Sequence, residues 1–218
     1  MSSYYLDENS TDLDALQSRL ETTDLIPSQL PLMVSITDKM NALRSAGIAS
    51  LGDLRRALKD SKPLKVLSEK SGIDPEYLKL LRRTVNGFFP KPRSLKEMDW
   101  VDQNAIARLK NAGITNTRQF FDATSVNGKE LAKDVGVDGK DMQKLAVISD
   151  LCRVRWVSPS FARGIVAAGI NSASALAEAD PEALCQAIAD ANRNADFYQG
   201  KVGLRDIRRL VAAAAYVP

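Results

Sequence analysis

The chain has 218 residues, 30 Lys+Arg against 27 Asp+Glu for a formal charge of +3, no histidine and only two cysteines. Without an imidazole it lacks the commonest general acid/base and metal ligand, so Ser-His-Asp, Cys-His and histidine-ligated metal chemistry are excluded. Cys152 and Cys185 cannot complete a tetrahedral zinc site, so no metal or cofactor is expected and both read as reduced thiols. The length fits one large domain or two small ones. The start, Met1 to Glu8, lacks the basic and apolar runs of a secretory signal. The most apolar tail, Leu210 to Val217, is about half the roughly 20 residues that span a bilayer. The expectation is a cytoplasmic protein with no membrane contact.

In chain order, residues 1–30 form an acidic N-terminal arm. Asp12 can cap a short helix with Leu13, Leu16 and Leu20 on one face, which Pro27 and Pro31 then interrupt. Docking on its own domain is the expected fate of that stripe, and a partner-binding helix is the alternative. Residues 31–92 make a first unit with a basic linker, and residues 93–218 a second and third unit packed as one domain. Each unit contains Ala-Gly-Ile: Ala46-Gly47-Ile48, Ala112-Gly113-Ile114 and Ala167 to Ile170, with glycines 66 and then 56 residues apart. The physical reading is a helix ending on a left-handed glycine, with the isoleucine folded back on the last turn.

Ser50, Asn116 or Ser172 follows as the N-cap of the next helix, with Asp53 and Gln119 positioned for capping boxes. Asp74-Pro75, Asp138 and Asp180-Pro181 start further helices. Alternating β-type runs are nearly absent, so the expected fold is all-α, with about ten to thirteen short helices.

The recurrent turn has a partner thirteen residues before its glycine, where the copies read Met98-Asp99-Trp100-Val101-Asp102 and Val154-Arg155-Trp156-Val157-Ser158-Pro159. With these motifs, residues 96–154 and 155–218 resemble the tandem helix-hairpin-helix (SAM-like) proteins. They look most like a family of unknown function in which two such hairpins lie side by side; residues 31–89 resemble the pattern more weakly. The resemblance implies backbone amides that hold a nucleic-acid phosphate, helped by glycines that permit close approach. This chain departs from the pattern at Trp100 and Asp102, at Trp156 and Ser158, and near Val34 and Ile36. Asp102 as an N-cap would fill the amide site with its own carboxylate. The tryptophans are expected to pack against neighbouring helices. The third hairpin keeps the best case, because Ser158 can donate and Arg153, Arg155 and Arg163 surround it.

Charge is unevenly spread. Residues 1–31 carry six acids and one base, residues 32–97 fourteen bases and seven acids, and the rest is nearly neutral. Lys79, Arg82, Arg83, Lys91, Arg93 and Lys96 form an acid-free stretch that includes Phe88 and Phe89. It reads either as a solvated connector plugged by its phenylalanines or as a strip along a phosphate backbone. The acidic arm could cover that strip. Carboxylates such as Asp138 with Asp141 and Asp180 with Glu182 are explained by helix starts, Gly200-Lys201-Val202-Gly203 is a turn, and no enzyme is expected. The expected function is a non-catalytic binding protein making weak, sequence-independent nucleic-acid contact. Arg82, Arg83, Lys91, Arg93, Arg155, Ser158 and Arg163 are its candidate contacts. The alternative is a protein–protein scaffold that has lost the phosphate hairpins.

Overall fold

A computed structural model describes residues 3–218; Met1 and Ser2, at the head of the acidic arm, lie outside the described residues. The described residues are all-helical, with twelve α-helices, two 3-10 helices and no strand. The chain divides into two compact units, Leu6–Phe89 and residues 3–5 together with Pro90–Pro218. The boundaries drawn from sequence, after residues 30 and 92, differ from these.

In the Leu6–Phe89 unit, α1 (Leu13–Thr22) is followed by a 3-10 helix, Pro27–Met33. Then come α2 (Ile36–Ser45), α3 (Leu51–Ala57), α4 (Ser61–Ser71) and α5 (Pro75–Asn86). Asp12 caps α1 through Ala15 N–H, and Leu13, Leu16 and Leu20 are buried in one core with Met40, Leu43, Leu54 and Leu78. Burying each leucine is worth about 2 kcal/mol, which is why the stripe becomes part of the body and does not project as an arm. Two acids of this segment pair with arginines of α2 and α3: Asp14 with Arg44 and Glu8 with Arg55. Phe88 and Phe89 belong to this unit too, under the guanidinium groups of Arg19 (3.6 Å) and Arg55 (3.8 Å).

The second unit opens with a 3-10 helix, Leu95–Glu97, and continues through α6 (Gln103–Asn111), α7 (Thr117–Val135) and α8 (Gly139–Leu151). It ends with α9 (Pro159–Ala167), α10 (Ala173–Ala177), α11 (Pro181–Ala195) and α12 (Leu204–Ala214). Asn127 breaks α7 with non-helical dihedrals, and Glu130 N–H points at its side-chain oxygen, so α7 is two helices end to end. Residues 3–5 are held by the buried Tyr4, whose hydroxyl shares a 2.8 Å hydrogen bond with that of Thr117.

The three Ala-Gly-Ile segments close three helix pairs, α2–α3, α6–α7 and α9–α10. Gly47, Gly113 and Gly169 take φ values of 92°, 83° and 93°. The amides of Ile48, Ile114 and Ile170 reach back to the carbonyls of Leu43, Leu109 and Ile165 at 3.0, 2.9 and 3.2 Å. Those bonds satisfy carbonyls that the helix end would leave open. Ser50, Asn116 and Ser172 then cap the following helices through Asp53, Gln119 and Ala175 N–H. Asp74 and Asp138 stand at N-cap positions without a side-chain bond to the helix amides, so there the proline or the acidic first turn carries the start.

Candidate nucleic-acid interface

The segment before α9 gives the second unit its most exposed aromatic. Val154, Cys152 and Val157 are buried in the core and pin the chain on both sides of residues 155–156. Between them Trp156 takes φ 72°, the left-handed region that favours glycine. Its side chain is turned outward and 49% exposed, contrary to the packed tryptophan expected from sequence. The Arg155 guanidinium lies 4.4 Å from the ring centroid and that of Arg209, from α12, 5.7 Å. Burial first, and then the charge of Arg209, push the Arg155 guanidinium below its ordinary value. Two residues on, Ser158 caps α9 by accepting from Phe161 N–H at 3.2 Å, and its hydroxyl hydrogen remains a donor beside the helix start.

The equivalent segment before α6 is built differently. Asp102 caps α6 by accepting from Asn104 N–H at 3.0 Å, so a carboxylate occupies the anion position of that helix. Trp100 is half-buried and faces Arg163 of α9, whose guanidinium lies 4.4 Å from the Trp100 ring and 4.9 Å from Phe197. In the first unit Ser35 precedes α2 with φ 50° and makes no side-chain cap.

The sequence-predicted contacts are therefore scattered. Arg155 lies against the Trp156 ring and Ser158 caps α9 two residues on, whereas Arg163, within α9, serves the Trp100 side. Arg82 and Arg83 belong to α5 of the Leu6–Phe89 unit; Arg82 donates to Leu58 O at 3.4 Å, and Arg83 is exposed. Lys91 and Arg93 open the second unit, both exposed, with Arg93 4.0 Å from Glu97. Arg153 is removed from any phosphate role. It is 5% exposed, pairs with Asp150, and donates to the carbonyls of Ser3 (3.0 Å), Tyr4 (3.3 Å) and Pro218. Arg209 and Phe197 were missed, since nothing local ties them to tryptophans 53 and 97 residues earlier.

Residues 101–217 match the model of a domain of unknown function, DUF4332. The chain belongs to the DUF4332 family. Trp156, Arg155, Ser158, Arg163 and Arg209 all lie inside the DUF4332 segment, and Arg82, Arg83, Lys91 and Arg93 lie outside it. No curated protein and no solved structure matches the chain. Among the described residues no helix is long and apolar enough to cross a membrane, and no cluster of three or more metal-ligating side chains occurs. Both cysteines are free thiols.

Proposed function

We propose that this DUF4332 protein is a non-catalytic binding protein of the tandem helix-hairpin-helix type that contacts single-stranded nucleic acid without reading its sequence. The observation that carries this reading is Trp156: an exposed ring held in a left-handed backbone conformation, with the guanidinium groups of Arg155 and Arg209 against it. An aromatic face offers every base the same stacking surface, and adjacent arginines supply the charge that tracks a backbone. The Ser158 hydroxyl and the start of α9 add a donor and a positive dipole end where a phosphate would lie.

Fluorescence anisotropy with a labelled oligothymidine, against a duplex of equal length, tests the reading. Two arginine contacts to a single strand predict a salt slope near −1.4, or about sevenfold weaker binding for a fourfold rise in salt. Trp156→Ala should weaken binding by about 5–100-fold. No binding at low salt, or binding that Trp156→Ala leaves intact, would overturn it.

A second reading, a protein–protein scaffold, is favoured by a different feature. In the Leu6–Phe89 unit, Ile26, Leu30 and Val34 are exposed around the 3-10 helix, Leu30 at 54% and Val34 at 63%. Concentration-dependent mass by light scattering that Val34→Asp abolishes would support it.

A further inference from the structure

A groove of about 590 Å³ opens between α8 and α9, inside the second unit, in the size range of small-ligand sites. Val147 and Ile148 of α8 and Val166 of α9 give it an aliphatic wall. Trp100 and Phe197 also line it, and the planar guanidinium of Arg163 lies against both rings. Lys140 and Lys144, one turn apart on α8, stand at its edge. Among the described residues that line it none carries a carboxylate. Of the acids next to these residues in sequence, Asp141 accepts from Lys144 at 2.9 Å and both Asp196 oxygens accept from Gln199 at 3.0 Å, while Asp99 and Asp138 line no part of the groove.

We propose that this groove binds a nucleotide, an aromatic base carrying a phosphate through its sugar. The charge selects an anion, because Lys140 and Arg163 remain uncompensated at the wall after Asp141 has taken part of the Lys144 charge. The shape and chemistry select a flat aromatic ring. The aliphatic residues and the Trp100, Phe197 and Arg163 side chains that share the groove offer a base apolar surface together with ring–ring and cation–π contact. Gln143 and Asn171, both exposed, supply neutral donors and acceptors for the polar edge of a base. The phosphate then lies toward the lysines of α8. The same chemistry is offered by a free mononucleotide or by one nucleotide of a strand. The inference does not rest on the Trp156 reading, since the two places share no residue.

The test is calorimetric titration of the full chain with adenosine monophosphate, adenosine and inorganic phosphate. The monophosphate should bind at least about tenfold more tightly than either fragment, because ring and charge are held together. Lys140→Ala with Lys144→Ala, two exposed positions, should weaken the monophosphate about tenfold and leave adenosine unchanged. Phe197→Ala should weaken the monophosphate and adenosine alike, with circular dichroism confirming that both variants fold. Oligothymidine that displaces the monophosphate identifies the strand as a source; oligothymidine that does not displace it identifies the free nucleotide. A monophosphate that binds no better than phosphate, or equally well to the lysine variant, overturns the proposal.

Discussion

Arg153→Met is expected to destabilise the Pro90–Pro218 unit by about 3–5 kcal/mol, the range for stripping one partner from a buried ion pair. Arg153 is 5% exposed, its guanidinium pairs with Asp150, and it lies 4.4 Å from the Phe121 ring. It also donates to the carbonyls of Ser3 and Tyr4, fastening the N-terminal residues to the core. Methionine keeps the length of the stem and donates nothing, so those carbonyls lose a donor, at about 1–3 kcal/mol for each that stays buried. Asp150 retains one bond, accepting from Ala173 N–H at 2.7 Å, which holds the cost toward the lower half of the range. Urea unfolding followed by tryptophan fluorescence is the assay. Trp100 and Trp156 are the two tryptophans of the chain and both lie in this unit, so the Leu6–Phe89 unit is silent. With a slope of about 2 kcal/mol per molar urea, the midpoint should fall by about 1.5–2 M. A fall below about 0.3 M would refute the clamp and return Arg153 to the candidates for phosphate contact.

Four further outcomes are expected. Gly113→Ala should cost about 1 kcal/mol in urea unfolding from its φ of 83° alone, since a methyl there meets nothing within 4 Å; an unchanged midpoint would contradict the left-handed turn. Trp156→Gly should be about 1 kcal/mol more stable than Trp156→Ala, because glycine relieves the φ of 72°, while both lose strand binding in the same anisotropy assay. Asp102→Ser keeps an N-cap oxygen and removes a charge, so stability should change by less than about 1 kcal/mol while low-salt strand affinity rises. Burial pushes the Cys152 thiol from 9.0 up to about 12. The unfolded chain therefore loses this proton first, and the stability tied to it is complete below pH 9.0 and lost as pH rises toward about 12. Cys152→Ala should flatten that alkaline loss in unfolding curves, and iodoacetamide at mildly alkaline pH should modify the half-buried Cys185 before Cys152.

Much of the local structure was legible because its causes are local. A glycine at the end of a leucine-spaced run, an isoleucine after it and a serine or asparagine two residues on define a helix end, a fold-back and a new start within six residues. That is why the turns at Gly47, Gly113 and Gly169 and the caps at Ser50, Asn116 and Ser172 are found where the pattern puts them. The candidate site was legible only in part. Arg155 lies against the exposed ring, but the side-chain direction of Trp156 depends on the buried Val154 and Val157 around it, and its second cationic neighbour comes from α12. Arg153, two residues from Arg155, was indistinguishable from it in sequence and has the opposite fate.

The composition set the bounds at the outset: no histidine, few cysteines, a near balance of charge and a helical grammar of caps and glycines. These are properties of the chain itself, so an all-helical body and the exclusion of histidine chemistry followed from the sequence alone. Which charges meet which rings is set by packing between residues far apart in the chain. Tertiary structure turned the acidic arm into core through Leu13, Leu16 and Leu20, buried Arg153 against the N-terminus, and divided the two tryptophans between an exposed stack and a groove. Burial and long-range pairing depend on where a helix lands, and local propensity leaves that undetermined.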